Sequence, residues 1–453
     1  MHQGEFDRVA DAFRAFHQVF APLFGRVEAR QRSEQYLRGL LVQQTDRRNA
    51  ENLAEAIEGA TPRALQRLLT EAPWPTDPVL DALHASLAPR LADPDGVLVI
   101  DDTGFAKQGR HSVGVARQYS GTLGKVGNGQ IGVFLGYVAP RGHALIDGRL
   151  YLPRAWADDP PRRARAGVPT AVTYQTKAEL ALALLRQTKA RRHLHGRWVT
   201  ADEGYGAVPG FRDGLDEAGW WYVLEVPSTP PVFTAPAASA VPAWSERGRK
   251  PTKARLVEGA PRPQPVRAVL SSRPVAAWPT LPVAAGAQGP RIDQFVAQRV
   301  WESRDGLPDR ACWLVLRRNP DGTEPKSDLS NAPAATPLAT LGRVGAWRWP
   351  IETLFQTDKG ETGLDEYEVR SWRGGHHHIT LALVAGAFLL TLKQTWGEKD
   401  AHADGTPGQP GAARGAASAA VDRRPTRAVV DDDPATQRQC LPCSCQTALR
   451  QVA

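Results

Sequence analysis

Apolar residues at helical spacing characterise the first part of the chain. Between Phe13 and Phe24 they recur every three or four positions, which predicts a helix with one apolar face. The same period runs from Asn52 to Ile57 and is interrupted at Gly59. Thr61-Pro62 then has the form of an N-cap followed by the first residue of a new helix. Residues 1–90 are therefore predicted to be helical.

The two short helices on either side of Gly59 have two interpretations. One is a helix-turn-helix that binds DNA. The other is an ordinary helical subdomain with a solvated basic face. In either case the arginines expected to face outward are Arg47, Arg48, Arg63 and Arg67. The sequence pattern alone leaves both interpretations open.

Strand patterns begin after Gly96. The run from Val97 to Ile100 is apolar throughout, as in a strand buried on both faces, and Asp101 and Asp102 follow it directly. Three more strand segments are predicted downstream, at 113–116, 131–138 and 144–152, the last of them a hairpin. This part of the chain is therefore expected to form an antiparallel meander.

An α/β pattern resumes beyond the meander. A helix is predicted over 177–187, and a short strand over 197–201 ends at Asp202. The stretch 227–290 is rich in Pro, Ala and Ser and has too few large apolar residues for a core of its own, so it is predicted to be an inserted loop region.

The last third of the chain contains two strands and two helices by pattern. Their predicted ranges are 295–301 and 312–317 for the strands and 345–360 and 379–396 for the helices. Beyond Glu398 the chain has no periodicity and consists of Gly, Ala, Pro and charged residues. Residues 398–453 are therefore predicted to be a disordered tail.

Composition narrows the class of protein. The chain has 453 residues, with 56 Lys and Arg against 48 Asp and Glu, and only 10 of the basic residues are Lys. An excess of guanidinium groups suits phosphate ligands, although coding bias explains it equally well. Four cysteines cannot form a disulfide scaffold. The longest apolar run, Ile379 to Leu392, is shorter than the ~20 residues that span a bilayer, and no signal peptide is recognised, so we expect a cytoplasmic protein without a membrane segment.

Acidic residues at the ends of buried strands are the most informative feature. Asp101 or Asp102 ends one apolar strand and Asp202 ends another. Such a residue is usually a turn or cap residue, but carboxylates that converge form a site for hard divalent cations such as Mg²⁺. Glu352 is the third candidate, because a helix that starts at Pro350 would place it beside an apolar stripe. Glu361 competes for the same role.

These residues belong to a set of motifs in a characteristic order. The motifs are Val99–Phe105, His111–Gly121, Val199–Gly206, Arg348-x3-Glu352-x6-Lys359, Gly363–Gly374 and His377–Leu383. The set resembles bacterial insertion-sequence transposases of the DDE superfamily, and the resemblance extends over about residues 40 to 395. The separations of 101 residues between Asp101 and Asp202, and of 150 between Asp202 and Glu352, agree with it.

The resemblance implies an α/β (α+β) fold with a ribonuclease H-like catalytic core. Residues 91–209 would be the first part of that core and residues 336–397 its C-terminal helical part. Residues 210–335 would be a β-rich insertion between the second aspartate and the glutamate, and residues 1–90 the helical DNA-binding domain. The low-complexity tail 398–453 does not look like the usual basic ending of the family.

The resemblance also assigns site residues. Asp101, Asp202 and Glu352 would be the catalytic carboxylates that hold two Mg²⁺ ions, with Mn²⁺ as a substitute, and Asp102 stays open as an alternative to Asp101. Arg348 and Lys359 would contact the DNA end near the scissile phosphate. Further DNA contacts are expected at Lys107, Arg117, Lys125 and Arg370.

The implied function is Mg²⁺-dependent cleavage at insertion-sequence ends followed by strand transfer. The expected partners are the terminal inverted repeats, the target DNA and a second copy of the chain in a homodimer, without a membrane. The protein would be cytoplasmic and associated with the bacterial nucleoid when bound to DNA. The alternatives are an inactive relic that only binds DNA, which the unusual tail favours, and a ribonuclease H-like nuclease without strand transfer.

Two further groups suggest metal ligands only weakly. Cys440, Cys443 and Cys445 resemble half of a zinc knuckle, but no nearby histidine provides a fourth ligand. The run His376–His378 contains adjacent side chains that point in different directions, so packing at a helix start or a phosphate contact explains it better than metal ligation.

Overall fold

The structure is a computed structural model that describes residues 3–42, 47–120, 124–244, 246–274, 277–284 and 291–403. A 3₁₀ turn over Ala21–Phe24 links its first two helices. The helices are α1 (Gln3–Phe20), α2 (Val27–Val42), α3 (Ala50–Ala56), α4 (Pro62–Thr70), α5 (Thr76–Leu91), α6 (Arg154–Ala157), α7 (Pro160–Ala166), α8 (Lys177–Arg191), α9 (Glu203–Gly206), α10 (Pro209–Glu217), α11 (Val266–Ser271), α12 (Leu338–Ala346), α13 (Pro350–Thr362) and α14 (Trp372–Ala403).

The strands form a large mixed sheet, so the fold is α/β as predicted. They are β1 (Val97–Ala106), β2 (Ala116–Ser120), β3 (Lys125–Ala139), β4 (Gly142–Leu150), β5 (Trp198–Ala201), β6 (Trp221–Val226), β7 (Pro231–Phe233), β8 (Ser239–Ala240), β9 (Arg255–Leu256), β10 (Gln264–Pro265), β11 (Thr280–Ala284), β12 (Arg291–Arg304), β13 (Leu307–Arg318) and β14 (Lys326–Ser330). The main path of the sheet is β10-β7-β12-β13-β14-β6-β5-β1-β3-β2, with β11 on β12 and β4 on β3. Strands β1, β5 and β6 are parallel, whereas the other pairs in this sheet are antiparallel.

The predicted meander is present with two local differences. Strands β1, β3 and β4 are antiparallel neighbours, as the pattern indicated. The predicted hairpin over 144–152 is instead one strand, β4, paired along β3. The predicted strand at 113–116 is mostly a turn, because Gly114 has a φ of +74°, a left-handed conformation that a strand does not contain.

Helices cover both faces of the central strands. On one face Phe355 of α13 packs against Phe134 of β3, with ring centroids 5.5 Å apart. On the other face Arg191 of α8 pairs with buried Asp147 of β4 at 2.7 Å. Asp147 is the register partner of Leu135, the next residue after Phe134 in β3. Since neighbouring strand residues point to opposite faces, α13 and α8 lie on opposite sides of the sheet.

The N-terminal helices share one hydrophobic cluster with the sheet and with α14. Phe13 of α1 meets Phe388 of α14 edge to face at 5.3 Å. Tyr36 of α2 shares a 2.7 Å hydrogen bond with Nδ1 of His378 in α14. Among the described residues, the helical unit therefore packs onto the core helix and is not a free arm.

The structure corrects one detail of the predicted basic face. Arg63 and Arg67 are exposed on α4, whose predicted N-cap Thr61 and first residue Pro62 are confirmed. Arg48 is buried instead, because its Nε donates to the Leu40 carbonyl at 3.0 Å and its guanidinium lies 3.8 Å from Glu366. A side chain committed in this way does not face outward.

The region predicted as an insertion, 210–335, is continuous with the core. Helix α10 packs against α8, and β6 pairs with β5. Strands β14, β13 and β12 then extend the same sheet beyond β6. A smaller hydrophobic cluster lies under these outer strands and includes Val232, Trp278, Cys312 and Leu314.

Helix α14 is the long apolar helix of the fold. Its segment Trp372–Thr395 is, among the described residues, the one helix long and apolar enough by composition to cross a membrane, and 72% of its most apolar window is buried inside the protein. The helix continues to Ala403, so the first residues of the predicted tail 398–453 are helical. The rest of that tail, including Cys440, Cys443 and Cys445, lies outside the described residues.

Candidate active site

Parallel pairing of β1 with β5 brings two predicted carboxylates together. Asp202 directly follows β5, but Asp101 lies in the middle of β1, so the predicted end of that strand at Asp101 or Asp102 is wrong. These strands pair in parallel, and their register ends with Ile100 opposite Ala201. One step further along both strands, Asp101 stands beside Asp202. Neighbouring strands are about 4.8 Å apart, so the two acidic residues are direct neighbours in the sheet.

The strand register also separates Asp101 from Asp102. Asp101 is the partner of Phe134, which contacts Phe355 of α13, so Asp101 points toward the α13 face. Asp102 points to the opposite face, where its Oδ2 accepts from Lys177 Nζ at 2.9 Å and from the Tyr205 hydroxyl at 3.3 Å. The geometry therefore favours Asp101 as the carboxylate that can work with a residue of α13.

Burial and the repulsion of like charges dominate the electrostatics around Asp101 and Asp202. Desolvation, with additional repulsion from Asp202 and Asp102, raises the pKa of Asp101 to about 8. Desolvation and the charge of Asp102 also raise the pKa of Asp202, while Arg348 and two backbone amides act in the opposite direction. A nearby positive charge stabilises the ionised form of carboxylates that are held together in this way.

Asp202 has a structural role besides its position beside Asp101. It is the N-cap of the short helix α9, where its Oδ1 accepts from the Tyr205 amide at 3.4 Å. The predicted end of the strand at Asp202 is confirmed, since β5 stops at Ala201. The cap fixes the side chain at the end of the strand.

Glu352 lies in the first turn of α13, which begins at Pro350 as the sequence indicated. Its side chain is 43% exposed, and its Oε1 is 3.6 Å from Nη1 of Arg348. Arg348 precedes the helix and is only 14% exposed. The charge of Arg348 also partly offsets the rise in the pKa of Asp101 and Asp202, so one guanidinium interacts with all three predicted catalytic carboxylates.

Lys359 lies further along the same helix, over β1. Its Nζ donates to the Gly104 carbonyl at 3.1 Å and lies 5.9 Å from the centroid of the Phe105 ring. Burial lowers the pKa of Lys359. Helix α13 therefore runs along β1, with Phe355 at the level of Asp101 and Lys359 nearer the end of the strand. Glu352, in the first turn of the helix, is connected to the two aspartates through Arg348.

The other predicted DNA contacts do not lie beside Asp101 and Asp202. Lys107 is occupied, since its Nζ donates to the carbonyls of Asp365 and Tyr367 at 3.1 and 2.6 Å and lies over the Tyr367 ring. Burial lowers the pKa of Lys107 to about 8. Arg117 and Lys125 are exposed on the β2–β3 ribbon, and Arg370 is exposed just before α14. Their contact with DNA stays a prediction.

The histidine run packs into the helical core. His377 stacks on Trp74 at 3.7 Å, and His378 bonds to Tyr36 and to the Gly363 carbonyl. Nδ1 of His376 is 2.9 Å from the Trp372 carbonyl. Burial lowers the pKa of all three side chains. This agrees with the interpretation that they pack at a helix start.

Glu225 is a residue of the site that the sequence interpretation missed. It lies on β6, whose parallel register with β5 ends with Ala201 opposite Leu224, so Glu225 stands beside Asp202. Its Oε2 accepts from Nη2 of Arg348 at 3.3 Å, and its Oε1 is 3.2 Å from Lys326 Nζ. The rule that points to acidic residues at strand ends applies to it, but its strand had been placed in the insertion.

The side-chain oxygens of this site are of the kind that hard cations bind. Carboxylate oxygens from Asp101, Asp202 and Glu352 are the ligand type that Mg²⁺ prefers, and mutual repulsion leaves Asp101 and Asp202 short of positive charge. Within the described part of the chain, however, no three acidic, histidine or cysteine side chains are grouped closely enough to form a ready metal site. Arg348 supplies the compensating charge in this arrangement.

One family model matches more than half of the chain. A family model for "DDE superfamily endonuclease" matches residues 19–290, which contain Asp101 and Asp202 but not Glu352. The probable transposase for insertion sequence element IS701 of Microchaete diplosiphon is 28% identical over 199 residues, 43% of this chain and 48% of the relative. The chain therefore spans about half the length of this curated relative. A solved piggyBac transposase synaptic complex with hairpin DNA matches 68% of this chain and 49% of its own at 13% identity, with a TM-score of 0.33.

Proposed function

This chain belongs to the DDE superfamily of endonucleases, and from that membership we propose that it is a DNA transposase. It cleaves DNA at the ends of an insertion sequence and joins those ends to a target. Asp101, Asp202 and Glu352 are its catalytic carboxylates. The similarity to an IS701 transposase supports this reading over a nuclease of another kind.

One observation carries the proposal. Asp101 in β1 stands beside Asp202, which follows the parallel strand β5, and Asp101 faces the helix that bears Glu352. In the proposed ribonuclease H-like core, the first aspartate lies on the first strand, the second follows a later strand, and the glutamate lies on a C-terminal helix. The positions on β1, after β5 and on α13 support this assignment.

Divalent metal is the cofactor that this donor set fits. Asp101, Asp202 and Glu352 would hold Mg²⁺, or Mn²⁺ in its place, and a pair of such ions supplies charge that activates an attacking hydroxyl group and stabilises the leaving oxygen. Asp102 is left to anchor Lys177 and Tyr205 on the opposite face. The three carboxylates thereby define where the scissile phosphate is placed.

The proposed reaction has two steps, hydrolysis of the element's end and transfer of that end to the target. A water oxygen attacks phosphorus in line, the bond from phosphorus to the 3′ oxygen breaks, and that oxygen takes up a proton to give a free 3′-hydroxyl. The 3′-hydroxyl then attacks a target phosphorus, its new bond forms as the bond from that phosphorus to the target's 3′ oxygen breaks, and the proton it loses is balanced by the proton that the leaving oxygen takes up. Arg348 and Lys359 hold the DNA backbone during both steps.

The other parts of the chain complete the proposal. Residues 1–90 contact the terminal inverted repeats, with Arg63 and Arg67 on the exposed face of α4, where Arg67 also pairs with Glu71 at 2.8 Å. Arg117, Lys125 and Arg370 are additional phosphate contacts. A second copy of the chain binds the other end of the element, so the DNA complex contains a homodimer.

Cleavage of the element's own ends tests the proposal. We expect purified protein with Mg²⁺ to nick a duplex that carries those ends and to join it to a second DNA. Glu352→Gln should abolish both products, whereas Glu361→Gln, on the same helix, should retain them. Cleavage without joining would indicate a nuclease, and binding without any Mg²⁺-dependent nicking would indicate a DNA-binding relic.

A further inference from the structure

Glu225 belongs to a row of acidic residues that crosses four neighbouring strands. Parallel register places Asp101 beside Asp202 and Asp202 beside Glu225. The antiparallel pair of β14 and β6 sets Asp328 opposite Glu225. Asp328 is buried, and desolvation raises its pKa to about 6. The row therefore extends from the proposed catalytic aspartates into the outer strands of the sheet.

Arg348 divides its guanidinium between two members of the site. Nη2 makes a hydrogen bond of 3.3 Å to Glu225, whereas Nη1 is 3.6 Å from Glu352, an ion pair without a hydrogen bond. Arg348 and Glu225 are 14% and 15% exposed, while Glu352 is 43% exposed. Glu225 is therefore the more buried and more closely bonded partner of the arginine.

This division has a consequence for Glu352. Arg348 and Glu352 lie 3.6 Å apart at their nearest charged atoms, and the flat fork of an arginine can place both of its amino groups on one carboxylate. A carboxylate bound in that way has its oxygens occupied and its charge compensated. Because Glu225 retains one end of the fork, Glu352 has only one loose contact with the arginine.

We propose that Glu225 is a positioning residue that holds Arg348 back from Glu352 and so leaves the Glu352 carboxylate available to a divalent cation. The inference rests on the proposed function only for the role of Glu352 as a metal ligand. Lys326, which lies 3.2 Å from Glu225, reinforces the arrangement by fixing the carboxylate from the other side. Glu225 itself acts through Arg348 and not on the substrate.

Metal binding without DNA tests this directly. Mn²⁺ is titrated into the full-length protein, and the free ion is measured by electron paramagnetic resonance. Wild type should bind Mn²⁺, and Glu225→Gln, which keeps the size of the side chain but not its charge, should bind it about tenfold more weakly, because Arg348 would then turn toward the metal ligand Glu352; losses of about this size follow when the surroundings of a metal ligand are disturbed. Glu225→Asp should recover part of the affinity.

A double-mutant cycle tests whether Glu225 affects Mn²⁺ affinity through Arg348 or independently of it. In an Arg348→Ala background no guanidinium competes for Glu352, so adding Glu225→Gln should change Mn²⁺ affinity less than twofold. Asp309→Asn is the matched control, because Asp309 also holds an arginine, Arg304 at 2.7 Å, but in the outer strands. It should leave Mn²⁺ affinity at the wild-type value.

Three results would overturn the inference: no Mn²⁺ binding by wild type, equal affinity of wild type and Glu225→Gln, or the same loss with and without Arg348. The titration involves no cleavage, so its failure can be distinguished from a failure of the transposase proposal. Coupling between Glu225 and Arg348 in a protein that never nicks DNA would refute only the proposed function. Normal nicking without coupling would refute only the role of Glu225.

Discussion

Asp101 is a proposed catalytic residue whose raised pKa also makes the stability of the protein depend on pH. Its pKa is about 8 in the folded chain against 3.8 for an ordinary aspartate. The folded chain therefore keeps a proton that the unfolded chain loses near pH 4. As the pH rises from about 4 to about 8, the Asp101 carboxyl progressively lowers the free energy of unfolding. Above that range its full destabilising effect is present.

Replacing Asp101 should consequently stabilise the metal-free protein in a pH-dependent way. We expect Asp101→Asn to melt about 2–4 °C above wild type at pH 8 and at the same temperature near pH 4, where the wild-type carboxyl is protonated. Thermal unfolding in the presence of a chelator measures both values. An equal shift at the two pH values would contradict the raised pKa.

The two neighbouring aspartates should differ in their effect on nicking. Asp101→Asn is expected to lower the rate of Mg²⁺-dependent cleavage by a hundredfold or more, on the order of the loss from removing one group that stabilises the transition state. Asp102→Asn breaks the contacts with Lys177 and Tyr205, so its main effect should be on stability. Single-turnover assays at saturating Mg²⁺ compare the two, and the reverse order of rates would assign the catalytic role to Asp102.

Sequence patterns were sufficient to find some of these residues but not all. Asp101 and Asp202 follow apolar runs of recognisable strand type, and Pro350 marks the start of the helix that bears Glu352. Glu225 was missed because its strand is short and lies between glycine-rich and proline-rich segments. Its proximity to Asp202 follows from register between strands, which a single sequence does not reveal.

At the scale of elements, the docking of α13 on β3 determines where Glu352 lies. Gly136 of β3 leaves space for the helix: a Cβ added there would be 3.5 Å from Cδ1 of Ile351 and 3.7 Å from Cδ1 of Leu354. These are ordinary contact distances. A methyl group therefore fits, but a larger side chain must displace the helix.

Two substitutions at Gly136 should separate these cases. Gly136→Ala is expected to fold and cleave like wild type. Gly136→Val should overpack the interface, lower the free energy of unfolding by about 1–3 kcal/mol and slow cleavage by moving Glu352. Denaturant unfolding and nicking assays measure the two effects. Normal cleavage by a destabilised Gly136→Val protein would show that the position of α13 matters less than we infer.

Element boundaries show where pattern reading succeeds and where it fails. Long periodic or continuously apolar segments, such as β1, α8 and α14, were found with the right type. The expected single helical pattern over 345–360 is two helices, because α12 ends at Ala346 and α13 begins only at Pro350. Proline cannot continue the hydrogen bonds of the preceding helix, so the break places Arg348 outside both.

At the scale of the whole molecule, the region between Asp202 and Glu352 has two parts with different roles. Strands β12, β13 and β14 extend the main sheet, whereas β8 and β9 pair only with each other. The ends of the β8–β9 segment are close together, since the Val257 amide donates to the Ala238 carbonyl at 3.0 Å. A short linker can close this gap.

Removal of this segment should therefore preserve the fold. We expect a protein in which residues 239–256 are replaced by a two-glycine linker to melt within about 2 °C of wild type, because a surface loop with adjacent ends contributes little to stability. Leu314→Ala in β13 is the contrasting variant and should lose about 2–5 kcal/mol, since this side chain is fully buried. Aggregation or unfolding of the shortened protein would show that the segment belongs to the core.

The continuity of the sheet from β1 to β12 also has a mechanical meaning. A hinged lid over an active site needs a flexible joint. Here the strands that carry the candidate catalytic aspartates are connected to the outer strands through successive ladders of backbone hydrogen bonds. Moving the outer strands as a rigid lid would break those ladders. Under the proposed function, DNA would therefore have to adapt its shape to these strands, because the sheet itself has no hinge in its described strands between β1 and β12.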